Sequence, residues 1–521
     1  MNNAAPITKE QYLSVIQERD SLRQLNASLE QSKAELEQQL EWFKRQYFGR
    51  KSEKQLFHSD PRQLCFGESV EEVPPSPTET VKAYERRITP ARPDDGESEP
   101  LLRFDDSVPV QIIEILPDEV EDLPETAYEV ISEKITHRLA QRPGAYVVLK
   151  YVRKVVKLNE QLITAPVPET VLERSFAAVS LLAGILIDKF LYHLPLYRQH
   201  QRLKAAGIEI SRATLTNYVH RAADLLAAIY YAQLSSILQS KVLLMDETPV
   251  KAGRAAERGK LKQGWYWPLY GDQDEVAFPF GASRAQREAK EILGNFCETL
   301  VTDGYSVYER IAAASDSIRH AQCWVHTRRQ FVKAEQAEPD LVKKALELIA
   351  KLYHQEEQAA KLTKHEKLKH RAAHSTPLVD EFFSWLRTEL GTRVLLPSSP
   401  FTKAAAYALE RERALRVFLD DAAVPLDTNA LERALRPIPM GRKNWLFCWT
   451  EVGAEVVGHV QSLLVTCKLQ GVDPYTYLVD VLQRVGTHPA IDVHLLTPRL
   501  WKENFAANPM RSELDRNNVV Q

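Results

Sequence analysis

Two four-residue runs constrain this chain more than any other feature: Val242-Leu243-Leu244-Met245 and Thr299-Leu300-Val301-Thr302. Each is too short for a helix and too apolar for a surface. Such runs read as strands buried on both faces, which need other layers above and below them. Each then stops on acid, with Asp246 and Glu247 after the first and Asp303 after the second. Most strand-end aspartates cap a turn, so either one alone says little. Two of them pose a question about chemistry. Strand alternation turns Glu247 to the face opposite Asp246, so Glu247 is expected to be the lesser neighbour.

The flanking segments supply an order. Residues 264–271 (GWYWPLYG) and 275–281 (EVAFPFG) are expected strands, and 283–296 an amphipathic helix. A strand at 299–303, a helix at 306–314 and a fifth strand at 317–326 follow. Strand, strand, strand, helix, strand, helix, strand is the ribonuclease-H-like order, a mixed sheet with helices on both faces. Its first and fourth strands are neighbours, so Asp246 and Asp303 are expected to meet. Carboxylates a few ångströms apart repel unless a cation holds them. Mg²⁺ takes oxygen ligands and keeps positions open for water and phosphate. Two such ions, about 3.5–4 Å apart, activate an attacking oxygen and stabilise a leaving one.

A third carboxylate is needed to complete that cage. Residues 425–437 (PLDTNALERALRP) offer Glu432 on a helix that starts near Asp427 or Thr428. Arg433, Arg436, Arg442 and Lys443 follow it, and cations beside a carboxylate cage suit a phosphate backbone. Asp246, Asp303 and Glu432 are therefore the expected metal ligands, for two Mg²⁺ ions with Mn²⁺ as a substitute. Cys323 and His326 (CWVH) fall short of a zinc site. A packed thiol on a buried strand accounts for Cys323, and His326 belongs either to the core or to the edge of the site. Trp265, Trp267 and Trp445 are expected to pack.

The rest of the chain divides by pattern. Over 8–48, Val15, Leu22, Leu29, Leu36 and Phe43 recur every seven residues, an imperfect coiled-coil seam. It suits self-association; a helix docked on its own domain is the other reading. An acidic flexible linker is expected over 58–100, and a small β-rich segment over 101–170, clearest at 145–158. Three helices are expected within 171–235, with Gly207 in a tight connection and Ser211 as the N-cap of the last. That last helix shows Arg212, Asn217 and Arg221, with Arg198 and Arg202 before it, and resembles a helix-turn-helix. An ordinary helical bundle accounts for the same stretch. Helical spacing over 340–362 marks a further helical stretch. A helical element, 451–521, ends the chain. The whole is a multidomain α+β protein.

The formal charge of −3 conceals an asymmetry. Residues 61–130 hold 18 Asp or Glu against 6 Lys or Arg, so the remainder is net basic and suited to nucleic acid. Five cysteines without a C-x-x-C pair fit a reducing compartment and argue against a zinc knuckle. No apolar run reaches the ~20 residues needed to cross a bilayer. The opening residues lack the apolar core of a signal peptide, so a cytoplasmic, nucleoid-associated protein without a membrane partner is expected.

Taken in order, several stretches resemble the large transposase of the insertion sequence 66 family, bacterial DDE enzymes. They are YFGRKSEK, HLPLYRQ, GIEISRATLTNYV, MDETPV, LVTDGYSVY, CWVHTRRQF, TNALERALRPI, GRKNWLF and SLLVTCKLQGVDPYTYL, over roughly residues 10–505. The resemblance implies Asp246, Asp303 and Glu432 as the catalytic triad. It implies that the helical stretch at 340–362 belongs to an all-helical insertion, 331–424, between two parts of a catalytic domain, 240–330 and 425–450. It implies DNA as partner, both terminal inverted repeats and target, and metal-dependent cleavage and strand transfer. Helper proteins of the same element are further candidate partners. Many relatives carry a cysteine-rich zinc module ahead of the helical domain; residues 101–170 hold no cysteine, so no zinc is expected. A catalytically inactive DNA-binding scaffold and a metal-dependent nuclease are the alternatives.

Overall fold

The structure, a computed structural model, describes residues 102–516 apart from 105, 107, 121–123, 125–126, 143, 159–160, 256–259, 316, 393–396, 446–447 and 449. The expected coiled coil over 8–48 and the linker over 58–100 lie outside the described residues.

Strand β1 (Arg103–Phe104) precedes a sheet of β2 (Val110–Ile115), β3 (Glu129–Arg142), β4 (Ala145–Leu158) and β5 (Gln161–Thr164). The long β3–β4 hairpin is antiparallel, and β2 runs parallel to β4 on its other side. Val147, Val148, Val152, Val155 and Val156 favour the extended backbone of β4, where Val148 and Val156 are wholly buried.

Three helices follow, as the pattern predicts: α1 (Val179–Leu186), α2 (Leu196–Ala205) and α3 (Arg212–Ile237). Gly207, at φ 78°, turns the chain after α2 into β6 (Ile208–Glu209), which pairs with β1. The Ser211 hydroxyl then accepts from the Thr214 backbone N–H at 3.0 Å and starts α3. Helix α3 serves two cores. Leu215 to Ile229 pack among α1 and α2, while Tyr230 and Ile237 pack with the central sheet.

That sheet has five strands in the order β11-β10-β7-β13-β14. They are β7 (Val242–Met245), β10 (Leu269–Tyr270), β11 (Val276–Ala277), β13 (Thr299–Thr302) and β14 (Arg319–Gln322). Strands β7, β13 and β14 are mutually parallel, and β10, between β7 and β11, runs antiparallel to both. Beside it stands a three-stranded antiparallel sheet, β12-β9-β8, made of β8 (Thr248–Arg254), β9 (Leu261–Tyr266) and β12 (Phe280–Gly281).

Two strands read as single units from sequence are therefore each divided. The breaks fall at Trp267-Pro268 and Phe278-Pro279, because proline has no N–H for the ladder. The chain crosses between the two sheets at these points.

Both faces of the central sheet are covered. Leu243, Met245 and Leu300 share a buried cluster with Leu293 of α4 (Gln286–Leu293) and with Val307 and Ile311 of α5 (Ser306–Ala313). Leu244 and Val301 belong to another, with Val460 and Leu463 of α15, a later helix spanning Glu451–Leu469. The buried Gln233 side-chain amide joins α3 to both layers. It donates to the Val276 carbonyl (2.7 Å), the Ser462 carbonyl (3.3 Å) and the Thr466 hydroxyl (3.0 Å).

The expected fifth strand, 317–326, is shorter than the pattern suggests. It ends at Gln322, and α6 (Trp324–Lys333) begins two residues later. Thereafter the chain is helical: α7 (Pro339–Ala359), α8 (Lys364–His370), α9 (Thr376–Thr392), α10 (Pro400–Glu410), α11 (Glu412–Leu415) and α12 (Val417–Asp420). Arg371, wholly buried, pins this segment together through the Glu356 carboxylate and the Asp421 and Val424 carbonyls.

The chain returns through α13 (Asn429–Leu435) and α14 (Pro437–Trp445) to α15, and ends in α16 (Pro474–Arg484), α17 (Pro498–Asn504) and α18 (Glu513–Arg516). Among the described residues no helix is long and apolar enough to cross a membrane.

Candidate active site

The carboxylates meet because of register. Parallel pairing sets Thr299 opposite Val242 and Val301 opposite Leu244. The same offset carries Asp303 level with Asp246 at the carboxyl ends of β13 and β7. Each aspartate also makes a turn. Asp303 Oδ1 accepts from the Tyr305 N–H at 2.8 Å, and Asp246 Oδ1 from the Glu247 N–H at 2.8 Å. Turn-capping and ligand delivery thus coexist, since a carboxylate has two oxygens.

Glu247 departs from the expectation. Alternation would send it to the opposite face, but β7 ends at Met245 and β8 starts at Thr248 in the other sheet. At the crossing alternation lapses. Asp246, Glu247 and Asp303 each place a ligand atom within 4.8 Å of the other two. The Glu247 side chain is only 2% exposed. Its Oε2 accepts from the Tyr308 hydroxyl at 2.5 Å, and Arg284 donates to its Oε1 through Nε at 2.9 Å and again through Nη2. The Arg284 guanidinium lies over the rings of Tyr305 (3.9 Å) and Trp265 (5.0 Å).

Glu432 stands in the first turn of α13, whose N-cap is Thr428. The thiol of Cys323, buried at the end of β14, fixes that start. Its sulfur accepts from the Thr428 N–H (3.3 Å) and hydroxyl (3.4 Å). Trp324 N–H donates to the Leu426 carbonyl at 3.1 Å. Glu432 Oε1 is buried without a hydrogen-bond partner; His326 Nε2 is 3.8 Å away and Arg329 Nη2 3.7 Å away. His326 thus sits at the edge of the site, on α6 rather than on a strand. Trp267 is wholly buried, Trp265 is partly buried against the sheet core, and Trp445 packs partly buried against the larger core.

The electrostatics are those of crowded acids. Burial pushes the Asp246 carboxyl up to about 7. The Glu247 N–H pulls against that shift, and the charges of Asp303, Glu247 and Glu432 add to it. Burial also raises Glu247, opposed by Tyr308 and Arg284. His326 is held below its ordinary value, chiefly by burial, so it is neutral at pH 7. A hard divalent cation fits this donor set: three clustered carboxylates, an orphaned buried Glu432 oxygen and a carboxyl that resists ionising alone.

The basic residues separate into two groups. Arg202 is paired with Asp188 and donates to the Tyr146 hydroxyl at 2.8 Å. Arg221 donates to the Glu173 carbonyl at 3.0 Å, and Arg442 to the Pro249 carbonyl. Each of these three has a partner within the fold. Arg198, Arg212, Arg433, Arg436 and Lys443 are exposed, and Asn217 is half-buried on α3. Arg284, Tyr308 and Arg329 were not singled out from sequence. Only a fold that brings 284, 308 and 329 to one sheet edge reveals them.

Comparison with known proteins agrees with the geometry. The family described as Transposase IS66 family matches residues 174–456, and the IS66 C-terminal element matches 462–498. The family described as Transposase C of IS166 homeodomain matches 35–106. Uncharacterized protein y4hP of Sinorhizobium fredii is 30% identical over 409 residues, 73% of this chain and 73% of that protein. Its y4jD protein is 31% identical over 363 residues, 65% and 69%. The Drosophila P element transposase strand transfer complex aligns at a TM-score of 0.21 and 13% identity, over 63% of this chain and 85% of that one, too slight a likeness to carry an argument. Because the first of these families covers more than half of its 521 residues, the chain belongs to the IS66 family of transposases.

Proposed function

We propose that this chain is a DDE-type DNA transposase with a ribonuclease-H-like catalytic domain, in which Asp246, Asp303 and Glu432 are the catalytic residues. The observation that supports this reading is the β7–β13 register, which brings the ends of both strands level at Asp246 and Asp303, with the charge of Glu432 also felt at Asp246. Asp246, Asp303 and Glu432 would hold the divalent ions, Mg²⁺ or Mn²⁺. Bound ions supply activation of the attacking oxygen and stabilisation of the leaving one.

The chain's own groups do the positioning. Cys323 and Thr428 lock the start of the Glu432 helix. The Arg329 guanidinium, 3.7 Å from the Glu432 carboxylate, balances its charge, and His326 flanks it at 3.8 Å. Arg433, Arg436 and Lys443 surround α13 and α14 and grip the cleaved strand by its phosphates. Arg198, Arg212 and Asn217 meet the terminal inverted repeats through the α2–α3 pair, with the amino end of α3 toward the base edges. Water attacks the phosphorus of the phosphodiester and the P–O3′ bond breaks, leaving a 5′-phosphate and a free 3′-OH; that 3′-OH then attacks a target phosphorus and displaces the target strand's own 3′-oxygen, which leaves as a 3′-OH. The N-terminal segment pairs two copies.

The test is a strand-transfer assay. Terminal-repeat DNA with a free 3′-OH is incubated with purified protein, Mg²⁺ and supercoiled plasmid. Joined product that EDTA abolishes is expected. DNA binding without cleavage or joining in either Mg²⁺ or Mn²⁺ would favour a DNA-binding scaffold. Cleavage of any DNA without joining would favour a nuclease.

A further inference from the structure

We infer that Glu247 is an additional metal ligand of the site, and that Arg284 is its displaceable counter-ion in the metal-free protein. This rests on the proposed metal-dependent reading of Asp246 and Asp303. The tight group in the fold is Asp246, Glu247 and Asp303, whose ligand atoms lie within 4.8 Å of one another. Ligand atoms of one octahedral Mg²⁺ lie about 3 Å apart when adjacent and about 4.2 Å apart when opposite, so side-chain adjustment on the order of 1–2 Å would close this set. Glu432 is outside that group, held toward His326 and Arg329.

The two oxygens of Glu247 are held differently. Tyr308, itself wholly buried, anchors Oε2. Oε1 is held by Arg284, whose side chain is 41% exposed. A carboxylate that is 2% exposed needs a positive partner, and an arginine at the mouth supplies one until a cation arrives. Arg284 does not depend on that pair for its own position. The Tyr305 and Trp265 rings hold its guanidinium from the other side, so it can release Oε1 without becoming stranded. Tyr308 meanwhile keeps the carboxylate aimed. A purely structural Arg284–Glu247 pair would need neither the exposed arginine nor the adjoining aspartates.

The test is Mn²⁺ binding to the full chain by isothermal titration calorimetry, with melting temperature as the folding control. Asp246→Asn, Asp303→Asn and Glu247→Gln are each expected to weaken the tighter site by about 10–100-fold. Arg284→Gln leaves the carboxylates in place and removes the competitor, so it is expected to tighten binding about 2–5-fold. Glu247→Gln within twofold of the parent, while the aspartate variants lose binding, overturns this inference alone. Weaker binding in Arg284→Gln also overturns it, since the arginine would then support the site. Unchanged affinity in both aspartate variants overturns the metal-site reading itself.

Discussion

Replacing Asp246 by Asn should stabilise the metal-free protein while it disables the site. The Asp246 carboxyl is pushed from 3.8 to about 7 by burial and by its acidic neighbours. A group whose pKa is raised by folding favours the fold when protonated. Its stabilisation is full below pH 3.8 and is lost as pH rises toward 7. Above that, ionised Asp246 weighs against the fold by at most about 4 kcal/mol. Asp246 retains some solvent access, which reduces the figure to about 1–2 kcal/mol. Asn keeps the shape and the Oδ1 that accepts from Glu247, but it does not titrate. The expected gain in melting temperature is about 2–8 °C above pH 7 in EDTA, vanishing near pH 4. Scanning fluorimetry of both proteins from pH 4 to 8.5 measures it. Added Mn²⁺ should close the gap, since only the parent binds it well. A gap independent of pH, or a variant less stable at pH 8, would refute the burial argument.

Other consequences follow from the same structure. Gly458 in α15 faces the Phe278 carbonyl, 2.3 Å from where a Cβ would sit. Gly458→Ala should therefore destabilise by about 1–3 kcal/mol, visible as a lower melting temperature. Arg212→Ala should lose about 1–3 kcal/mol on terminal-repeat DNA and little on random DNA, whereas Lys443→Ala should weaken both alike and flatten the salt dependence. Binding isotherms on both DNAs at several salt concentrations separate these outcomes. The purified protein should carry no stoichiometric zinc, and EDTA should stop catalysis without unfolding residues 101–170; elemental analysis and circular dichroism check both.

The residues that deliver the site were legible because burial and charge conflict at strand ends. Val242 to Met245 could only be a buried strand, and a buried strand ending on Asp246 invites an explanation. The partner strand was legible for the same reason, and the expected pairing of the two is the one observed. Glu247 was misjudged because alternation was extended past Met245, where the chain in fact changes sheets. The strand Thr248–Arg254 escaped notice because Pro249 and Gly253 weaken its local signal; its pairing with β9 decides it. The β14–α6 boundary was missed for a related reason. Cys323, Trp324 and Val325 favour strands locally, but contacts from Leu426 and Thr428, some hundred residues on, fix the helix start there. Sequence shows the charge of Arg202, Arg221 and Arg442 but not their partners within the fold, the Tyr146 hydroxyl and Asp188 for the first and the Glu173 and Pro249 carbonyls for the others.

The central claim is that three carboxylates at one sheet edge perform the chemistry. The most direct measurement is single-turnover cleavage of terminal-repeat DNA in Mg²⁺ by Asp246→Asn, Asp303→Asn and Glu432→Gln, with DNA affinity measured beside it. Each substitution removes a charge and keeps the shape. The account predicts that all three abolish cleavage while binding stays within a few-fold of the parent. Cleavage near the parent rate in any one of them would contradict the assignment of that residue, and in two of them the account as a whole.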